Sequence, residues 1–267
     1  MPAVVPTPPL ETPYGLSLTS LTPGHEGEVL WSTEIENIHS LLNSHWNADH
    51  TYAFSGEYHL VLDTESGREL SRRSVRENVK RWQYDETSKT WNLKVGVDLG
   101  KRPRLATYHT NIVAGDWHYF LSHQLNAVGR VNTRTQEVEH LDVPVQLAVS
   151  SDGTRKEIWD PTQSIPNLPI NSRGIDLTKD KRSTGTGWGH NSAASPILVG
   201  RYLYFPVMSG TVYVIDTEAL EFSEKAIVAL NDLGPTGSTW TLSGLSYAEG
   251  KLYARTIKEV ICIQEMQ

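Results

Sequence analysis

PILVGRYLYFPVMSGTVYVIDT, residues 196 to 217, reads as strand, turn, strand and turn. An apolar stretch runs into Gly200-Arg201, an aromatic-rich strand follows over Tyr202 to Val207, and after a second turn Thr211 to Ile215 makes another strand that ends at Asp216-Thr217. Degenerate copies recur at Asn47 to Thr64 (NADHTYAFSGEYHLVLDT), Asn111 to Thr133 (NIVAGDWHYFLSHQLNAVGRVNT) and Leu245 to Ile263 (LSYAEGKLYARTIKEVICI). A unit that returns along a chain signals a repeat architecture, and the repeat decides the fold before any single residue does.

Each copy predicts the same local structure. Tight turns at Ala48-Asp49, Gly115-Asp116, Gly200-Arg201 and Glu249-Gly250 lead into strands at Tyr52 to Phe54, Trp117 to Leu121, Tyr202 to Val207 and Leu252 to Arg255. The next strands are Tyr58 to Leu62, Ala127 to Val131, Thr211 to Ile215 and Val260 to Ile263. Polar turns beginning at Asp63, Asn132 and Asp216 follow, where Gly tolerates positive φ and an Asp side chain bonds nearby backbone. A fourth strand is expected after each, at Glu69 to Val75, Val138 to Val143 and Phe222 to Ala229. Successive four-stranded antiparallel units have the logic of propeller blades, so the fold class is all-β, a β-propeller with about four blades legible.

The units resemble the repeats of pyrroloquinoline-quinone-like (PQQ-like) β-propellers, whose blade consensus ends in Asp-x-x-Thr-Gly followed by a Trp. Asp63-Thr64-Glu65-Ser66-Gly67 is similar to that turn but lacks the Trp, and Asp216-Thr217-Glu218 keeps only its start. Gly250 to Thr256 and Val260 to Ile263 look like a last blade of the family. The resemblance covers most of Gly27 to Ile263 and points to the superfamily, not to one member.

Composition agrees. A chain of 267 residues suits one large β domain, and its eight Trp and eleven Tyr against four Phe favour half-buried strand faces. No apolar run approaches a membrane span, and a net charge of −7 argues against a nucleic-acid partner. Cys262 is the one cysteine and sits in an apolar strand, which leaves no intrachain disulfide. Residues 1–26, with Pro2, Pro6, Pro8, Pro9 and Pro13, read as an extended leader without a secretory signal, ahead of a propeller domain over 27–267. The implied protein is soluble, with no compartment assigned.

Two insertions interrupt the repeat, at about 76–104 and 146–189. The first is read as a hairpin between blades or an eroded blade, and the second is rich in turn formers. A long loop in a compact domain is commonly functional, so the second is the first place to expect binding. Gly27 to Thr33 is expected to supply the missing outer strand of the last blade. The family generally has six to eight blades, so either the insertions hide further blades or the chain is the C-terminal part of a larger propeller.

Known catalytic motifs are absent from the sequence: no nucleophile elbow, zinc-protease helix, phosphate loop or dinucleotide fingerprint. His45, His109 and His190 each precede the first strand of a unit, and pseudo-symmetry could gather them at the axis as a metal site. Quinone binding is the activity the resemblance brings with it. No calcium-ligand set aligns with this chain, although Trp46, Trp188 and Trp240 offer flat surfaces. The cofactor is therefore unknown. The leading reading is a non-catalytic scaffold that presents loops and a central funnel to a protein or small ligand, with Trp82, Trp159 and Trp188 as interface anchors. The alternative is a metal- or quinone-dependent enzyme with its site at the axis.

Overall fold

The computed structural model describes residues 3–5, 15–36, 44–100, 110–122, 125–150, 152–179 and 194–264, with backbone alone for 3–5. Its regular structure is almost entirely strand, with two short 3-10 turns at Pro161–Gln163 and Glu224–Ala226. Sheet I contains β1 (Ala3–Val5), β2 (Gly15–Thr19) and β3 (Val29–Glu34). Sheet II is a four-stranded meander of β4 (His45–Trp46), β5 (His50–Ser55), β6 (Tyr58–Asp63) and β7 (Glu69–Ser74). Next in the chain come β8 (Val79–Asp85) and β9 (Thr90–Val97), then the meander β10 (Asn111–Ala114), β11 (Trp117–Ser122), β12 (Ala127–Asn132) and β13 (Val138–Asp142). These six strands share sheet III, in the order β10-β11-β12-β13-β8-β9. Sheet IV is the hairpin of β14 (Gln146–Val149) and β15 (Arg155–Ile158). Sheet V is the meander β16 (Ile197–Val199), β17 (Tyr202–Pro206), β18 (Thr211–Asp216) and β19 (Ile227–Asp232); sheet VI holds β20 (Ser246–Ala248), β21 (Lys251–Arg255) and β22 (Val260–Ile263).

The hydrophobic clusters show how the sheets stack. Leu16, Leu18 and Trp31 of sheet I pack with Ala53, Leu60 and Leu62 of sheet II. Phe54 of sheet II then meets Phe120, Val131 and Val138 of sheet III. The largest cluster joins Tyr119, Leu121, Val128 and Leu141 of sheet III to Leu203, Phe205, Tyr213 and Ile215 of sheet V. Val212 and Val214 finally bury against Ala254 of sheet VI. Since side chains alternate along a strand, one sheet can serve two such cores, one on each face. A series of antiparallel meanders packed face to face is the blade arrangement of a β-propeller, and the fold is all-β of that class.

The turns repeat as well as the strands. Asp63 Oδ1 accepts from the Ser66 amide at 2.7 Å, Asn132 Oδ1 from Thr135 at 2.9 Å, and Asp216 Oδ1 from Glu218 at 2.9 Å. Each side chain satisfies turn amides that the ladder cannot reach, which is why Asp or Asn closes the second long strand of these three units. At the last blade, Glu249 and Gly250 both adopt positive φ (52° and 75°), the geometry that twists a two-residue hairpin correctly.

Several expectations are corrected. The strand at Gly27 to Thr33 does not complete the last blade: β3 pairs antiparallel with β2, Leu18 opposite Trp31, and β22 is left as the edge of sheet VI. Burial explains the choice, because this pairing presents Leu16, Leu18 and Trp31 together to sheet II. Residues 15–19 of the expected leader are therefore a strand whose Leu16 and Leu18 lie in a core. The first insertion is a hairpin added to the outside of sheet III, and in the second the described residues form a hairpin and loops; no four-stranded blade is found in either among the described residues. The fourth strand of sheet V starts at Ile227, because Phe222 is buried and Ser223 caps the 3-10 turn that follows.

Candidate functional site

The site is built where the two insertions meet. β8 runs parallel to β13, with Arg81 opposite His140 and Trp82 opposite Leu141. Asp142 locks the seam: it accepts from Arg81 Nε at 2.9 Å and Nη2 at 3.2 Å, and from the Tyr84 amide at 3.3 Å. Burial pushes the Asp142 carboxyl up, and Arg81 is the main influence opposing that rise. With its amide held there, Tyr84 lies opposite Trp91 of β9, ring centroids 5.2 Å apart.

Sheet IV approaches from the other side. The Leu147 amide donates to Thr211 Oγ1 at 3.1 Å and the Val149 amide to Thr236 Oγ1 at 2.9 Å, which fixes β14 against sheet V. β15 ends on buried Ile158, and Trp159 then stacks on Tyr84 with centroids 4.1 Å apart and planes 27° from parallel. Trp91 meets Trp159 edge-on at 5.6 Å. Tyr84, Trp91 and Trp159 are each half-buried. Beside this trio lies an open cleft of about 560 Å³, floored by Leu147, Ile227, Ala229 and Leu230 and rimmed by Lys89, Arg155, Lys156 and Glu157. That volume falls within the range of ligand sites. Arg155 Nη2 donates to the Leu230 carbonyl, which pins the guanidinium over β19.

Of the tryptophans singled out from sequence, Trp159 lines this cleft, Trp82 is half-buried against the core shared by sheets III and V, and Trp188 lies outside the described residues. The sequence reading missed Tyr84 and Trp91, although their placement around the Asp85 turn was legible. Nothing local tells which insertion aromatics will meet Trp159.

Of the three histidines expected to gather at the axis, His109 and His190 lie outside the described residues. His45 Nε2 donates to the Asn111 carbonyl of the next sheet at 3.1 Å, and burial lowers its pKa. No group of three or more His, Cys, Asp or Glu arranged to hold a metal occurs among the described residues. Other histidines, not predicted, form a buried relay. His118 Nε2 donates to Asn111 Oδ1 at 3.0 Å, so its Nδ1 is free of a proton and accepts from His59 Nε2 at 3.1 Å. Both rings are fully buried; burial lowers His59 to about 4 and His118 well below the ordinary value. These imidazoles are neutral and fasten sheet II to sheet III.

No family model and no curated protein matches the chain. Among solved structures, BamB from Moraxella catarrhalis is 13% identical at a TM-score of 0.29, covering 93% of this chain and 77% of that one. A europium-containing methanol dehydrogenase is 9% identical at 0.45, covering 94% and 46%. Sqt1 from Saccharomyces cerevisiae is 10% identical at 0.45, covering 99% and 59%. The chain thus spans less than two thirds of the last two. At these scores the likenesses assign no activity or partner, and the propeller class rests on the strand pairing. No described helix is long and apolar enough to cross a membrane.

Proposed function

We propose that the chain is a non-catalytic scaffold of the PQQ-like propeller type that binds a partner through its insertions. The observation that carries this reading is the convergence of Tyr84 and Trp159, from two separate insertions, onto one open cleft, with Trp91 packed against both rings. Half-buried aromatics at a cleft are the side chains that give interfaces most of their binding energy, since they offer large area at low entropic cost. Both insertions are fastened to the blades by Asp142, Thr211 and Thr236, so the cleft is presented on a rigid frame. For the axial enzyme reading, the one described histidine of the set already spends its Nε2 on a carbonyl, which supports the scaffold instead.

Quantitative affinity capture from native extract tests this. A partner held by the wild type should be lost from a Tyr84→Ala/Trp159→Ala variant whose circular dichroism is unchanged; equal recovery of every retained protein from both would overturn the proposal.

A further inference from the structure

Resting on that reading, we infer that the cleft takes an extended peptide segment of acidic character with an apolar residue at its centre. Three cations stand on its rim, Lys89 in the β8–β9 turn and Arg155 and Lys156 on β15, against the single carboxylate of Glu157. All three are exposed, and among the described residues none has a carboxylate within ion-pair distance. Some other cations are paired, Arg72 with Glu69, Arg81 with Asp142, Arg130 with Glu139 and Arg201 with Asp216 and Glu218, and others such as Lys94 and Lys251 stand without an ion pair among the described residues, as these do; what sets the three apart is that they share one cleft. Asp232 feels the charge of Arg155, but in a chain of net charge −7 three cations against one carboxylate around an apolar floor are still a local reversal of sign. Charge of one sign gathered around a cleft attracts a ligand of the other sign and rejects like-charged ones.

The floor decides what kind of anion fits. Leu147, Ile227, Ala229 and Leu230 offer aliphatic area beside the Tyr84 and Trp159 rings, which rewards burial of an apolar side chain. A bare phosphate would leave that floor unused. A nucleic-acid strand carries a charge on every nucleotide, so most of its phosphates would lie beyond the three rim cations against a chain of net charge −7, whereas a peptide can confine its carboxylates to the rim. A peptide with Asp or Glu flanking one Leu, Phe or Trp satisfies rim and floor together.

The test is selection from a randomised nine-residue peptide display library on the intact chain, with Lys89→Glu/Lys156→Glu and Tyr84→Ala/Trp159→Ala variants in parallel. Both lysines are exposed, so their reversal leaves the fold intact. Selected peptides should carry two or more acidic residues around an apolar one, and should bind the lysine variant roughly tenfold more weakly, the effect of reversing two rim charges. Selected peptides that lose binding to the aromatic variant but are neutral or basic would overturn the acidic specificity while leaving the cleft as the binding surface. Peptides indifferent to the aromatic variant would overturn the cleft itself. An oligo-dT twelve-mer bound more tightly than the selected peptides, or no enrichment of acidic peptides at all, would also overturn the inference.

Discussion

Asp142 receives two nitrogens of Arg81 and the amide of Tyr84 at once, and so ties the first insertion to sheet III. The tie lies at the parallel seam between β13 and β8, where three residue pairs are in register. Replacing Asp142 by Asn keeps the shape but leaves the Arg81 guanidinium, largely buried, without its counter-charge. Loss of one partner of such a pair costs about 3 kcal/mol. Hydrogen exchange should rise across residues 79–97 and stay near wild type in sheet V. Unchanged protection of β8 and β9 would mean that the hairpin is held by its apolar contacts.

Gly129 has no room for a side chain. It lies opposite Phe120 in the ladder, and a Cβ there would come 2.2 Å from the Phe120 ring. The ring is fully buried between two sheets and has nowhere to move. Gly129→Ala should cost about 2 kcal/mol by overpacking. Gly115→Ala, whose Cβ meets nothing within 4 Å, should lose only about 1 kcal/mol from its positive φ of 59°. Urea denaturation of the two variants should show that order.

Buried histidines set the acid limit of the fold. Burial lowers both His59 and His140 from 6.5 to about 4, so the unfolded chain binds protons that the folded chain refuses. Stability is then fully present above about pH 6.5 and falls as pH drops through 6.5 towards 4. Each histidine contributes at most about 3 kcal/mol to that loss. Thermal melts between pH 7.5 and 4 should decline, and a His140→Gln variant should decline less steeply. A melting temperature flat over that range would contradict neutral burial.

Arg130 bridges sheets III and V. Its guanidinium lies 3.9 Å from the Trp117 ring centroid and 4.3 Å from that of Phe222, and it also pairs with Glu139. Planarity lets one group do both, so Arg130→Lys should recover only part of the stability lost in Arg130→Ala, with the alanine variant down by about 3 kcal/mol. Equal denaturation midpoints for the two variants would assign the whole effect to the aromatic planes.

The meanders were legible because their information is local. Period-two apolar patterning, a turn residue at each reversal and an Asp or Asn at the end of the second long strand all act within a few residues of themselves. Asp63, Asn132 and Asp216 stand where the repeat put them, and each bonds its own turn. The blade stack follows from the same pattern, since each strand offers apolar side chains to both neighbouring sheets.

What only the tertiary structure decided was which distant elements meet. The choice of β2 over β22 as partner for β3 depended on which pairing buried Leu16, Leu18 and Trp31 together. The joining of β8 to β13 needed Asp142 of one element to find Arg81 of another. The cleft exists only because Trp159 and Tyr84, far apart in the chain, stack at 4.1 Å. Strand and turn propensities are properties of neighbours in sequence; pairing, stacking and charge neutralisation are properties of neighbours in space, and the repeat constrains the second only through the first.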